Sequence, residues 1–458
     1  MNSTHIPGGT SATQRRDGLY LMLLGSIFFL LFGVVLINRD SVPLNDFRTA
    51  YFSGLCLLEP GCHPFREGDI ELIYEKRQVD HPLVPPRDRT VITRNIYLPS
   101  AFAFTVPLAL VPFRLALALW GILIAVGSLF AAFLIWRVSA GYAPLLSAAL
   151  IGFCLANSGS IFHFGNVAGL VVPFCIFAVW CFMEDRYIPA AILCLTFGMA
   201  LKPHDTGLVW LFFLLAGELY RRRALQVLAL FAALIVPTVA WVTYISPDWL
   251  RQLAANLQVG SEPGGMNYPG AVHAVCMLTN LQTITSFFWQ SAHTYNLVAI
   301  LICAPFVLVW AVLVGRSTPS REIVWFGLAA AAAFSMLPTY HRQYDAKLIL
   351  LAVPAFAILW SRRGIAGWVS LFLTAAALFL NGDLPWVFVL TVIEKLPFAT
   401  DPAHRRLMTA LLDFPVPLSL LALGAFNLWA FARFSRPDVR VHQESQAGDT
   451  SAALSSLR

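Results

Sequence analysis

Charge is what this sequence has least of. Only 12% of its 458 residues are Asp, Glu, Lys or Arg, about half the roughly 25% of an average soluble domain. A soluble chain of this length would divide into several domains, each needing a charged surface, and the charges for those surfaces are missing. Lysine is scarcest, with four (Lys76, Lys202, Lys347, Lys395) against 27 arginines. No Gly-x-Gly-x-x-Gly stretch and no Walker loop occurs, so no cofactor is expected and nucleotide-driven chemistry has no support. No basic stripe with interleaved aromatics accompanies the net charge of +6. That charge therefore reads as orientation in a membrane, and no nucleic-acid partner is expected.

What is abundant is apolar: 58% of residues are hydrophobic. They fall in runs of about 17 to 22, the length a helix needs to cross roughly 30 Å of hydrocarbon. The expectation is an all-α polytopic transmembrane bundle. Residues 1–18 form a cytoplasmic tail, 19–434 the membrane domain, and 435–458 a disordered cytoplasmic tail. The run from Leu19 to Ile37 follows Arg15-Arg16-Asp17 and reads as a first span, not a removed signal peptide. Further spans are expected near 114–136, 144–156, 167–183, 187–201, 205–219, 224–245, 293–314, 322–338, 347–360, 364–380 and 415–433, about 12 in all. Arg221-Arg222-Arg223, Arg316 with Arg321, and Arg362-Arg363 mark cytoplasmic turns. Counting 98–112 as a span would put those turns on the wrong side. Its prolines, Pro99, Pro107 and Pro112, also oppose a straight helix, so it reads as re-entrant or interfacial.

The same parity puts outside a long first loop (38–113), the breaks Asn157 to Asn166 and Lys202 to Asp205, a second large loop (246–292), the break Tyr340 to Lys347, and 381–414. The unusual polar residues collect there. Asp46 follows the first span closely and begins an amphipathic stretch (Phe47, Ala50, Tyr51, Gly54, Leu55, Leu58) that would lie on the membrane surface. Two readings stay open for it: a helix N-cap, or a base acting on a substrate delivered by lipid. Lys202-Pro203-His204-Asp205 is read as functional, since a turn needs neither Lys nor His. Tyr340 to Lys347 brings His341, Arg342, Asp345 and Lys347 to the same side, where cations suit an anion. Their alternative is mutual pairing of snorkelling side chains. Arg94, Asn95 and Tyr97 can line the same cavity, with Asn166. His163 is a lesser candidate, because a lone His is more often hydrogen-bonded structure. His163, His204 and His341 with Asp205 and Asp345 raise a metal reading. No histidine pair has helical metal-motif spacing and the neighbours are cationic, so no metal is expected. Cys56 and Cys62 lie six residues apart in the first loop, where pairing stays open.

An acid soon after the first span, Tyr97-Leu98-Pro99, Pro107-Leu108-Ala109-Leu110-Val111-Pro112, Gly165-Asn166, Lys202-Pro203 and Asn267 together resemble the GT-C membrane glycosyltransferases. More closely, they look like glycosyltransferase family 87, the polyprenol-phosphate-mannose-dependent mannosyltransferases, over roughly residues 19–360. Two departures are that the family often has Gly-Gln where this chain has Gly165-Asn166, and that the first loop here is long and arginine-rich. The resemblance implies inverting transfer of a sugar, mannose in this family, from a polyprenyl-phosphate donor to an acceptor hydroxyl on a glycan, glycolipid or protein. The setting it implies is the outer face of a bacterial plasma membrane. Asp46 matches the family's catalytic acid position. Lys202, His204, His341 and Arg342 would hold the departing lipid phosphate. Arg94, Tyr97, His163, Asn166, Asp205 and Asp345 would shape the sugar and acceptor pocket. The rival readings are a surface-glycan polymerase or ligase, which relies on a late outer loop, and a lipid or solute transporter, which predicts internal repeats and midplane charges.

Overall fold

The computed structural model describes residues 11–39, 43–79, 84, 89, 92–262, 265, 267–269, 278–391, 407–408 and 410–435. The tail beyond residue 435 and parts of 381–414 and 246–292 lie outside those residues. Among the described residues the chain is helical throughout. In order come α1 (Ala12–Arg39), α2 (Asn45–Leu58), α3 (Glu67–Arg77), a 3-10 turn at Pro99–Ala101, α4 (Phe102–Ala109), α5 (Phe113–Ser139), α6 (Pro144–Ala156), α7 (Ser160–Phe164), α8 (Ala168–Glu184), α9 (Ile188–Leu201) and α10 (Pro203–Leu215). They are followed by α11 (Glu218–Ile245), α12 (Trp249–Ser261), α13 (Gln282–Phe288), α14 (Ala292–Arg316), α15 (Arg321–Ser335), a 3-10 turn at Asp345–Leu351, α16 (Ala352–Ser361), α17 (Ile365–Leu380), α18 (Asp383–Thr391) and α19 (Pro415–Phe434).

Each expected span is a helix, but not each is long enough to cross a membrane. Six stretches are: Ala12–Asn38, Phe113–Ser139, Pro144–Phe164, Glu218–Ile245, Ala292–Arg316 and Ala410–Phe434. A seventh arises if α17 and α18, bent by 52° at their break, count as one. The rest are shorter, and at 1.5 Å per residue fall short of the roughly 30 Å hydrocarbon layer. Large apolar side chains stand exposed along the long helices, among them Leu23, Phe28 and Leu31 on α1, Ile122 and Val126 on α5, and Leu301 and Leu308 on α14. Such continuous apolar surface suits lipid, so the chain is an all-helical membrane protein. α15 and α16 are apolar for another reason: Val324–Ser335 and Ala352–Leu359 are buried on every side as the centre of the bundle. α1 crosses α6 at glycines. A Cβ on Gly152 would stand 2.9 Å from the Leu21 carbonyl oxygen, and one on Gly25 would strike the Gly152 backbone.

α2 departs from expectation. Phe47–Leu57 are all buried, so the helix lies inside the protein, not on a membrane surface. Its aromatics explain this. Phe47 meets Trp120 with ring centroids 5.2 Å apart, Phe52 stacks on Phe113 at 5.7 Å, and the Tyr51 hydroxyl donates to the Val111 carbonyl at 2.8 Å. Cys56 and Cys62 form a disulfide at its C-terminal end. The 98–112 segment is the short helix α4 and its flanking turns, well under a membrane crossing in length.

Two groups of polar contacts stand out at turns of the bundle. In one, Arg223 donates to the Phe182 carbonyl at 3.0 Å and pairs with Asp185, Arg321 pairs with Glu184, and Arg362 bonds Glu322 at 3.1 Å. These are the arginines read as orientation signals. Arg223 is buried and paired, so it also ties helices together. The second group surrounds Asp46.

Candidate functional site

Asp46 stands in the first turn of α2 but caps nothing. The position preceding the helix is Leu44, and no side-chain cap bond forms. Leu44 adopts a left-handed conformation (φ 56°) and its N–H donates to the His163 carbonyl at 2.7 Å. α7 therefore fixes where α2 begins. The chain leaves α7 through Gly165, at φ 59°, where a Cβ would press on Leu44 and Phe47 at 3.0 to 3.1 Å. A glycine is needed there both for the backbone angle and for the close approach. The next residue, Asn166, is thereby aimed at α2. Its Nδ2 donates to Asp46 Oδ2 at 2.6 Å, and its Oδ1 accepts the Ala168 N–H at 2.8 Å.

From Asn166 the network runs to α10. Lys202 Nζ lies 3.5 Å from Asn166 Oδ1, is bonded to Asp345 Oδ1, and lies 3.9 Å from Asp205 Oδ2. Its ammonium also sits over the Tyr344 ring, 5.2 Å from the centroid. Asp345 in turn accepts the Arg342 N–H at 2.9 Å, holding the Tyr340–Tyr344 turn against α10. Arg342 bonds the Tyr340 hydroxyl and lies over the Phe164 ring at 5.8 Å.

These groups border a cavity of about 420 Å³, within the range of small-molecule sites. Asp46, Arg94, Tyr97, Asn166, Lys202, His204 and Arg342 line it. Arg94 is also paired with Glu67 at 2.8 Å. Desolvation raises the Asp46 carboxyl above the ordinary carboxylate value, against the Asn166 bond and the charges of Arg342 and Lys202. Burial opposes the Lys202 charge, but Asp205 and Asp345 prevail and hold it above its ordinary value. His204 shows one edge to the cavity and is enclosed elsewhere, and desolvation pushes it down to about 3.

Four expected pocket or phosphate residues are placed differently. Asp205, Asp345 and His341 are fully buried behind the wall. The two carboxylates neutralise Lys202, a buried cation that would otherwise be uncompensated. His341 points both ring nitrogens into protein: Nδ1 is 2.9 Å from the Thr339 carbonyl and Nε2 is 3.0 Å from Asp205 Oδ1. It does not line the cavity. His163 contributes its backbone carbonyl, and its ring packs edge-on against Phe164 at 4.5 Å. Lys347 donates to the Asn157 and Asn381 carbonyls at 3.0 and 3.1 Å, a staple between helix ends.

Sequence reading missed Thr49, Asn256, Gln282 and Asn296 in the lining. Asn256 donates to the Phe65 and Asn95 carbonyls at 3.0 and 2.9 Å, holding α12 over the first loop. Its signal was weak: one Asn on an amphipathic helix. Asp383 was missed too. It accepts from the Ser160 N–H and hydroxyl at 2.7 and 2.6 Å and from Gln343 at 2.8 Å, bracing α7 from behind.

No protein-family model matches the chain, and comparison with curated proteins and with solved structures finds no match.

Proposed function

We propose that this chain is an integral-membrane glycosyltransferase. It transfers a sugar, mannose by the family resemblance, from a polyprenyl-phosphate donor to an acceptor hydroxyl, with inversion and with Asp46 as base. The observation that carries the proposal is Asp46 itself, a partly desolvated carboxylate on a cavity wall, oriented by Asn166 and facing a wall that bears Lys202 and Arg342. A base needs one free oxygen lone pair toward the acceptor, and a carboxylate held by Asn166 and Tyr344 still has lone pairs to spare. The departing phosphate gains negative charge, which fixed cations stabilise better than a protonating acid. Arg94, Tyr97 and Asn166 then bound the sugar.

The reading includes a sidedness, with the cavity outward and the Arg223, Arg321 and Arg362 turns in the cytoplasm. The Cys56–Cys62 disulfide supports it, since disulfides persist in oxidising compartments. Reporter fusions test it: a periplasmic reporter joined after residue 113 is expected to be active and one after 137 silent. The reverse pattern would invert the whole assignment. The count of about 12 crossings needs each shorter helix to cross by itself in locally thinned bilayer, and the same fusions placed at each turn measure it.

The decisive assay is transfer from polyprenyl-phosphate mannose by purified protein in nanodiscs with a membrane-lipid acceptor fraction, reading release of polyprenyl phosphate and the new anomer. If no sugar moves but the lipid-linked sugar changes leaflet in proteoliposomes, the chain is a transporter. The pH profile adds a second reading. Asp46 works as a base only when ionised, and desolvation raises the pH at which that happens. kcat/KM is therefore expected to climb with pH along an acid limb displaced upward from the ordinary carboxylate range, then level off.

A further inference from the structure

Behind the cavity wall, three potential ligands converge. Asp205 Oδ1 lies 3.0 Å from His341 Nε2 and 3.6 Å from His204 Nε2, the two imidazole rings are 4.8 Å apart, and one ligand atom from each residue falls within 4.8 Å of the others. A tetrahedral ion with bonds of about 2.1 Å has ligand atoms about 3.4 Å apart, so the two measured separations bracket that edge.

Hydrogen bonding explains why this is more than crowding. A carbonyl oxygen can only accept, so the 2.9 Å contact with Thr339 puts the proton of His341 on Nδ1. In the neutral ring Nε2 then carries a lone pair, and that lone pair faces a carboxylate oxygen. Neither His341 Nε2 nor either oxygen of Asp205 makes a well-directed hydrogen bond; Asp205 has only the approaches of His341 at 3.0 Å, His204 at 3.6 Å and Lys202 at 3.9 Å, and both residues are fully buried. Two electron-rich atoms at this distance repel unless a positive particle lies between or beside them. An imidazole whose far N–H is fixed by a backbone carbonyl is the arrangement metal-bound histidines adopt.

Charge points the same way. The cations nearby argue against an ion only until their partners are counted. Lys202 is bonded to Asp345 and lies 3.9 Å from Asp205 Oδ2, whereas the two histidines meet Asp205 at Oδ1.

We propose that His204, Asp205 and His341 bind a divalent transition-metal ion. Two nitrogens and one carboxylate oxygen suit Zn²⁺, Mn²⁺ or Co²⁺. His204 borders the cavity, so the ion's remaining coordination positions open on that side. Resting on the glycosyltransferase reading, the ion would hold an oxygen of the donor phosphate beside Lys202. His341 then contributes through the metal, which accounts for a histidine at this spot that cannot reach the cavity itself.

The test uses the full chain purified in detergent, stripped with chelator and titrated with Co²⁺ in the absence of any sugar donor. Visible d–d absorption saturating at one ion per chain, with a rise in melting temperature, is expected. Asp205→Asn and His341→Gln should weaken the ion by on the order of 100-fold, and His163→Gln should leave the spectrum unchanged. Because a buried substitution can unfold the chain, His204→Gln at the exposed edge is the second variant, scored only on protein that remains monodisperse and helical. If wild type takes up no Co²⁺, or the His204 variant binds it equally well, the proposal falls. The titration contains no donor or acceptor, so its outcome is independent of whether the chain transfers sugar.

Discussion

Asp46→Asn is expected to abolish sugar transfer, reducing kcat by about 10³-fold, within the 10² to 10⁴ that a positioned base contributes. The substitution keeps volume and shape and removes the lone-pair basicity that takes the acceptor proton. It should not disturb the fold, because Asp46 makes no cap to α2 and the bonds it accepts, from Asn166 and Tyr344, can re-form to the amide oxygen. Stability should hold or rise slightly, since a carboxylate that desolvation disfavours is exchanged for a neutral group. Donor binding should be kept, so the loss belongs in kcat with KM little changed. Asn166→Ala should fall between, because the base remains but is no longer oriented. Turnover retained in the Asp46 variant would dispose of the mechanism, whatever the protein's helicity.

The helices were legible in the sequence because apolar runs and their breakers fix where a helix starts and stops. Lys202-Pro203 and Asn381-Gly382 interrupt helices where expected, whereas Asn157 to Asn166 holds the short helix α7, which runs on from α6 as one apolar stretch, Pro144–Phe164. The crossings were less legible, for a physical reason. A helix facing lipid and a helix at the centre of a bundle are equally apolar, so α15 and α16 look like membrane spans on composition while touching mainly protein. α2 misled in the opposite way. The apolar positions Phe47, Ala50, Tyr51, Gly54, Leu55 and Leu58 suggested a single face laid on the membrane, but Gly54 is there to let α4 approach: a Cβ would sit 2.8 Å from the Thr105 carbonyl oxygen.

At the site, residue types were legible and their depth was not. Lys202, His204, Asp205, His341, Arg342 and Asp345 do meet, as the clustering of polar residues at helix breaks foretold. Which of them face the cavity depends on helical phase. Pro203 starts α10 so that His204 faces the cavity while Asp205, one residue on, turns inward. His341 and Arg342 lie outside any helix, where Arg342 bridges Leu278, and there too one neighbour is buried while the other lines the cavity. No count of charges in a loop could separate neighbours by 100° of rotation.

Lys202→Met is expected to be the most destabilising single change at the site. Lys202 lies between Asp345, to which it is bonded, and Asp205, 3.9 Å away, and all three are buried. Removing the cation leaves two carboxylates facing each other without water, and breaking a buried pair in this way costs about 3 to 5 kcal/mol. The expected result is a lower melting temperature and aggregation during extraction. The pair itself contributes far less than that, because both charges were desolvated to form it. Lys202→Met combined with Asp345→Asn should therefore recover much of the stability, and the two effects should be strongly non-additive in a double-mutant cycle. Activity should not recover with it: the phosphate would still lack a cation that the proposed reaction places opposite Asp46. Stability regained without transfer is the signature of a lysine that serves both fold and chemistry. Lys202→Met as stable as wild type would mean that Asp205 and Asp345 are neutral, and the charge assignment of the whole wall would have to be redrawn.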